Sequence, residues 1–501
     1  VLWHHRRVGP TLLGCVLLLA GCTPDIAPLP NVLLVSIDSL RSDHLGSYGY
    51  ERDTSPHLDR LAAEGARFTT ALAPSPWTLP SHVTLLTGRH PAAHGVRNTD
   101  RRLGAAIPTL AEVLEGAGYQ TAAFVSGPYL RSEYGYDRGF KLYDQSLAVV
   151  APAASREGIS SPQLIDAALG WLNAWREESS RSPFFLFLHL WDVHYDFMPP
   201  PPFDTLFDPG YSGTVDGRGI EGVGSNIPAP DLQHIIALYD GEIRFTDEEL
   251  GRIFARLRAW NLLEDTLIVV TADHGEEFFE HGKIGHSTEI YEESLRIPLI
   301  LSYPRRVRKG QIFEKQVRLM DIPETILGLA GIADDTIGMP DGAPLQSRDL
   351  SPWLRGDESA GGFPELIAFP ENYVWIGSRT GVRTNSAKLI RHSGTKLHEV
   401  FDLERDPAEQ SRWKGGDPPL GQKRAELLKH EEVWKAWVET ESIEAPKLDI
   451  RGRLQAQLEA LGYIKTEPSE PREESRSADH ETGGKAVKVP PPGQEAGTTD
   501  G

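Results

Sequence analysis

Cysteine is nearly absent. The 501 residues contain two, Cys15 and Cys22, both close to the start of the chain. Everything after them can form no disulfide within itself and no Cys-ligated zinc centre. Positive charge is also scarce: 51 Lys and Arg stand against 71 Asp and Glu, a formal net charge of −20. The basic residues form no stripe, so no nucleic-acid partner is expected. An acidic surface of this kind reads as solubility. Long apolar runs are missing as well. The stretch from Leu12 to Ala20 is too short to span a bilayer. There is no internal repeat, which excludes solenoids and propellers.

What is present begins with an export signal. His4-His5-Arg6-Arg7 is a short basic region ahead of the apolar Leu12–Ala20 core. Leu19-Ala20-Gly21-Cys22 resembles a bacterial lipobox, which implies cleavage before Cys22 and lipidation of that residue. An ordinary signal with an incidental cysteine is the alternative. The expected organisation is a lipoprotein signal peptide over 1–21 and an extended tether over 22–30. The protein would then be exported and lipid-anchored to the bacterial envelope, facing the periplasm or the exterior.

From residue 31 the texture is that of an α/β domain. Asn31 to Asp38 is a continuous apolar run ending in a carboxylate, the mark of a strand buried on both faces. His57–Phe68 has helical spacing, Thr109–Gly118 reads as a helix, and Thr121–Val125 reads as a strand. Leu164–Glu178 is an amphipathic helix leading into the strand Phe184–His189. Asp231–Trp260 is a long helix leading into the strand Thr266–Thr271, with Asp273-His274-Gly275 at its tip. The alternation predicts a mostly parallel sheet sandwiched by helices, with its site beyond the strands' carboxyl ends.

After about residue 350 the pattern changes to short antiparallel strands, Ala387–Arg391 and His398–Leu403, with a closing helix over Leu454–Ile464. The expected domains are a catalytic domain over 31–350 and a smaller C-terminal α+β subdomain over 351–465. The stretch 466–501, rich in Glu, Ser, Pro and Gly, is expected to be a disordered tail.

Four groups can form one metal site: Asp38, Thr78, Asp273 and His274. A hydroxyl is a poor nucleophile at neutral pH, and a divalent cation beside it lowers its pKa. Two carboxylates and an imidazole can hold that cation. Thr78 lies just ahead of a helix expected from Ser81 to Thr87, whose N-terminal N–H groups favour an anionic tetrahedral centre. The bland reading of Thr78 is a helix cap. His194 and His286 are candidates to assist the leaving group, to hold substrate oxygen or to bind a second metal.

The segment Ser75–Arg89 resembles the active-site signature of the sulfatase family, Cys (or Ser)-x-Pro-x-Arg followed by Leu-Thr-Gly. Here it reads Thr78-x-Pro80-x-His82, then Leu86-Thr87-Gly88. Asp38-Ser39-Leu40-Arg41-Ser42-Asp43-His44-Leu45-Gly46 resembles that family's first metal motif, and Thr271-Ala272-Asp273-His274-Gly275-Glu276 its late one. Phe401 to Glu409 resembles a segment of sulfatase C-terminal subdomains. The resemblance covers roughly residues 31–465 and implies an alkaline-phosphatase-like core, an ester hydrolase and one divalent metal ion.

Thr78 stands where the family has the cysteine that becomes formylglycine, so no formylglycine is expected. Ser39 replaces the second of two aspartates and His82 replaces the arginine. With His274 present, zinc or manganese is favoured over calcium, which stays possible. His82 and Lys283 are the candidate substrate-binding residues. The expected substrate is an anionic ester, possibly on a glycan or lipid: a sulfate ester by the family, a phosphate or phosphonate ester by Thr78 and Ser39. Phosphoryl transfer onto envelope glycans or lipids is one alternative. A catalytically silent glycan-binding lipoprotein is another.

Overall fold

The computed structural model describes residues 28–148, 159–178, 182–333, 336–339, 343, 347–374, 377–395 and 398–460. The expected signal peptide, Cys22, most of the tether and the 466–501 tail lie outside the described residues. Among those described, no helix is long and apolar enough to cross a membrane.

A nine-stranded sheet forms the centre. Its strands are β1 (Asn31–Ile37), β2 (Ala66–Leu72), β3 (Gln120–Ser126), β4 (Leu142–Leu147), β5 (Phe184–Leu190) and β6 (Thr266–Ala272). After a small hairpin, β7 (Glu277–Phe278) and β8 (Ile284–Gly285), come β9 (Arg296–Ser302), β10 (Gln311–Phe313) and β11 (Val317–Arg318). The spatial order is β10-β2-β9-β6-β1-β5-β3-β4, with β11 beside β2. Every pairing in it is parallel except those of β9 with β2 and β6. The mostly parallel α/β sheet expected from the alternation is therefore observed. Strands β1, β5 and β6 are buried along their whole length, which is why their sequences are unbroken apolar runs.

The flanking helices are α1 (Pro56–Glu64), α2 (Thr78–Thr87), α3 (Leu110–Gly116), α4 (Ser161–Glu177), α5 (Ala229–Ala259) and α6 (Ile322–Ala330). The start of α3 is fixed by a capping box: Thr109 Oγ1 accepts from Glu112 N, and the Glu112 carboxylate accepts from Thr109 N. The helix expected over His57–Phe68 is shorter than its spacing suggests. It stops at Glu64, and Ala66–Phe68 open β2. Gly65 makes the break: a Cβ there would sit 2.1 Å from the Leu301 carbonyl oxygen, so only glycine lets this turn press against β9.

The C-terminal part is an antiparallel sheet of β12 (Glu371–Asn372), β13 (Arg379–Arg383), β14 (Ala387–His392) and β15 (His398–Asp402). It is followed by α7 (Pro418–Glu441) and α8 (Gly452–Ala460). A second apolar cluster, including Phe369, Leu389, Val400 and Trp434, fills the space between this sheet and α7. Trp434 stacks on Trp437 at 5.1 Å.

Candidate active site

Strand register assembles the site. In the parallel β1–β6 pair Ile37 lies opposite Ala272, and in the β1–β5 pair Ser36 lies opposite His189. Side chains alternate along a strand and in-register neighbours share a face, so Ser36, Asp38, His189, Thr271 and Asp273 all fall on one side of the sheet. α2 covers that side. All ten of its residues are buried, and it carries Thr78 at its first position.

Thr78 is not a cap. The cap position is Trp77, and no side chain caps the helix. The Thr78 hydroxyl instead lies 3.3 Å from His274 Nε2. His274 Nε2 is 3.6 Å from Asp38 Oδ1 and 3.3 Å from Asp273 Oδ2. Its Nδ1 donates to the Gly275 carbonyl at 2.9 Å, which leaves Nε2 as the lone-pair atom. Thus Asp38, Thr78, Asp273 and His274, named from the sequence, converge.

The turn after β1 is held by several contacts. Ser39 has φ +54°, Ser39 Oγ donates to Asp38 Oδ1 at 2.9 Å, and Ser39 N donates to Asp273 Oδ1 at 3.2 Å. Tyr239 Oη donates to the Ser39 carbonyl at 2.8 Å. A left-handed non-glycine residue is strained by about 1 kcal/mol or more, and these bonds offset that strain. Ser39 does not replace the missing aspartate as a charge; it orients Asp38.

The electrostatics favour a cation. Burial pushes the Asp38 carboxyl up to about 6, against the opposing pull of His274, Ser39 and Thr78. Burial and the adjacent Asp38 both push Asp273 up. Asp38 Oδ2 and Asp273 Oδ2 are buried without a hydrogen-bond partner. Two carboxylates packed together in a dry site with bare oxygens fit a divalent ion. Asp38, Asp273 and His274 can offer ligand atoms within 4.8 Å of one another, and so can His82, His189 and Asp273.

His82 lies elsewhere than the expected substrate contact. It has no exposed surface; Nδ1 donates to the Thr78 carbonyl at 3.0 Å, and Nε2 faces Ser36 Oγ at 3.0 Å. Both nitrogens are used, so the ring braces the turn bearing Thr78 against β1. Lys283 sits at the exposed tip of the β7–β8 hairpin, and its ammonium makes no hydrogen bond or ion pair among the described residues.

His286 and His194 do join the group. The ring centroids of His286 are 4.4 Å from His274 and 4.8 Å from His194. His194 stacks on Trp191 at 3.8 Å. His286 Nδ1 is 3.2 Å from both carboxyl oxygens of Glu276, a buried residue the sequence reading did not single out. Burial, with His274 and His194 beside it, pushes His286 well below the ordinary histidine range. Burial also pushes Glu276 well up, as do Asp38 and Glu277. Exposure rises from 0 % at Asp38, Asp273 and His274 to 6 % at His286 and 7 % at Trp191, so the whole group is buried. A cavity of about 570 Å³ lined by His57, Arg258, Arg306 and Lys309 contains none of these residues.

Comparison with known proteins shows the family of the chain and of its fold. The family model described as Sulfatase matches residues 30–332, and that described as N-sulphoglucosamine sulphohydrolase, C-terminal, matches residues 280–429. An ulvan-active sulfatase of Formosa agariphila is 25% identical over 451 residues, covering 79% of this chain and 81% of that protein. A structure solved with D-glucosamine-2-N,6-O-disulfate aligns with TM-score 0.68 and 21% identity, over 83% of this chain and 99% of the other. The phosphonate monoester hydrolase of Agrobacterium radiobacter aligns with TM-score 0.65 and 21% identity, over 82% and 96%. At these identities the two structures speak for the fold alone.

Proposed function

The chain belongs to the sulfatase family of ester hydrolases, and from that premise we propose that it cleaves an anionic sulfate or phosphorus ester with Thr78 as nucleophile. The observation that carries the reading is the Thr78 hydroxyl lying 3.3 Å from His274 Nε2, beside two buried carboxylates with bare oxygens. Asp38, Asp273, His274 and Thr78 would hold one divalent ion. Such an ion, when bound, lowers the pKa of the hydroxyl and neutralises charge on the ester.

The remaining work falls to the chain's own groups. The first-turn N–H groups of α2 have no partner inside the helix and favour the anionic tetrahedral centre. His82 keeps the Thr78 turn fixed. His286, oriented by Glu276, is placed to protonate the leaving oxygen, with His194 packed against it. Before substrate binds, His286 is held neutral; the negative charge of a bound ester opposes that shift and favours proton uptake. Water then releases the ester formed on Thr78.

Phosphate or phosphonate esters are the favoured substrates. A threonine ester of sulfate lacks the elimination route that formylglycine provides, so its release would be slow. The related ulvan-active sulfatase points to sulfate esters as the competing class. The test is an assay of p-nitrophenyl sulfate, p-nitrophenyl phosphate, a phosphodiester and a phosphonate monoester. Each is run with zinc, manganese or calcium, beside Thr78→Ala. Phosphorus-ester cleavage lost in Thr78→Ala is expected. Thr78-dependent cleavage of the sulfate alone would overturn the substrate assignment, and full activity in Thr78→Ala would overturn the nucleophile. We also propose export and lipid anchoring at Cys22; Cys22→Ser should move the protein from the membrane to the soluble fraction.

A further inference from the structure

The cavity of about 570 Å³ takes no part in the proposed reaction, yet its wall is strongly basic. The loop after β9 supplies Arg305, Arg306, Arg308 and Lys309, four cations in five positions. Arg60 comes from α1, Arg258 from α5 and Arg355 from the short helix Ser351–Arg355. Glu64 and Glu264 are the carboxylates in the same wall. Seven cations thus face two carboxylates in a chain whose formal net charge is −20. The sequence has no basic stripe; folding gathers this patch from four separate parts of the chain.

Some of these charges are already matched. Arg60 and Arg258 meet Glu64 at 2.9 and 3.6 Å, Arg305 meets Asp265, and Arg355 meets Asp357 at 3.0 Å. Arg306, Arg308 and Lys309 meet no carboxylate among the described residues. Arg306 donates to the Leu329 carbonyl at 2.9 Å, in the last turn of α6, and Arg308 to the Gly356 carbonyl at 3.3 Å, just past Ser351–Arg355. Both guanidinium groups are therefore held at helix C-termini, where a cation is favoured. Each spends one terminal nitrogen there and keeps the rest of its donor fork. Two fixed forks and a lysine around one hollow suit a phosphate-type anion.

The cavity lies at the end of the sheet where the chain enters. Asn31, the first residue of β1, pairs with Thr266, and Asp265 just before it holds Arg305. β1 then runs seven residues to the catalytic end, about 23 Å at roughly 3.3 Å each. From Cys22 to Asn31 the chain can reach at most about 32 Å. A membrane holding Cys22 is thus within reach of the cavity, and Arg308 and Lys309 are exposed toward it.

We propose that this cavity binds the phosphate of an anionic phospholipid headgroup, seating the anchored chain with its catalytic end turned outward. The choice of a membrane as occupant rests on the anchoring at Cys22 proposed above. The chain as a whole is repelled by an anionic surface, but physiological salt screens that repulsion beyond about 8 Å, so the cavity's own cations decide at contact. A single weak contact gives only reversible binding. The cavity orients the chain rather than holding it, and Cys22→Ser is still expected in the soluble fraction.

The test uses the full chain carrying Cys22→Ser, which leaves nothing to lipidate. Its partners are vesicles of phosphatidylglycerol mixed with phosphatidylcholine, or of phosphatidylcholine alone. Co-sedimentation at low salt is expected with the first and not with the second, and should fade in high salt. Adding Arg308→Gln and Lys309→Gln should weaken it about 25-fold, each cation near the surface being worth roughly fivefold. Hydrolysis of a soluble ester and the thermal midpoint should stay as in the parent. No binding, equal binding to both vesicles, or unchanged affinity in the folded variant overturns the proposal. So does capture of inorganic phosphate or a sulfated oligosaccharide without capture of vesicles, which would make the occupant a soluble anion. The anchoring reading fails separately, if Cys22→Ser stays with cell membranes in high salt.

Discussion

Lys388 is fully buried, and its removal should be among the most damaging single changes in the C-terminal part. Its ammonium lies 3.2 Å from Glu292 Oε1 and 3.1 Å from Glu409 Oε1. Each contact is worth about 5 kcal/mol at an effective dielectric near 20, before the cost of burying the charges is subtracted. The two partners differ in what they keep. Glu292 retains Arg383 through two bonds of 2.9 and 2.8 Å. Glu409 retains only the Glu292 N–H at 2.8 Å. Burial works to raise both carboxyls; Arg383 and Lys388 overcome it at Glu292, whereas Lys388 alone does not at Glu409, which stays raised. Lys388→Met therefore orphans Glu409. Breaking a buried pair costs about 3–5 kcal/mol, and proton uptake by Glu409 should hold the loss near 3. Because Glu409 would bind a proton more tightly folded than unfolded, the penalty should be smallest in acid and grow as pH rises through neutrality. Urea unfolding followed by tryptophan fluorescence reads this as a midpoint shift at constant slope. Adding Glu409→Gln to Lys388→Met should recover most of the loss. A neutral single variant, or a double variant no better than the single, would refute the reasoning.

Three further outcomes are expected. His286→Ala should lower kcat by about 10²–10⁴, as for lost general acids, and the loss should shrink for esters with good leaving groups; an equal loss across a leaving-group series would rule out the proton-donor role. His281 is paired with Glu293 at 2.6 Å; burial lowers its pKa, but Glu293 outweighs this and raises it to about 9. A raised folded pKa gives stability that is complete below about 6.5 and fades as pH rises through 9, so His281→Gln should cost on the order of 1 kcal/mol at pH 6 and little at pH 10. Ser36→Ala removes the hydroxyl facing His82 Nε2. It should cost about 1 kcal/mol of stability and lower kcat up to tenfold, since a misplaced nucleophile is slow, with metal content unchanged; altered metal content would show that His82 does more than brace Thr78.

The elements that the sequence made legible are those whose signal is local. Apolar runs announced β1, β5 and β6, and helical texture over Thr109–Gly118 announced α3. The reversed direction of β9 was not legible, because a buried apolar strand looks the same whichever way it runs. The Phe401–Glu409 segment was recognised only as a resemblance, and the structure gives its physical content. The Asp406 carboxylate accepts from the Gln410 and Ser411 N–H groups, while Glu409 turns inward to Lys388 and Glu292. It is a joint between the two sheets rather than part of the chemistry.

The site divides along the same line. Asp38, Asp273 and His274 follow strands directly, so their positions at the ends of β1 and β6 were legible as candidates. His189 has no such mark, since it sits one residue inside a strand that reads as plain core. What gives it meaning is the pairing of Ser36 with His189, which places the ring two residues short of the level of Asp38 on the same face. Two sequence positions 151 apart share a face only because β1 and β5 are neighbours, and that adjacency is set by the whole sheet order. A buried histidine in even register with a strand-end carboxylate of the neighbouring strand is therefore a feature that sequence motifs miss and strand pairing reveals. The same register argument separates His82, which reaches this face from α2 with both nitrogens spent, from His189, which reaches it from the sheet with one nitrogen free.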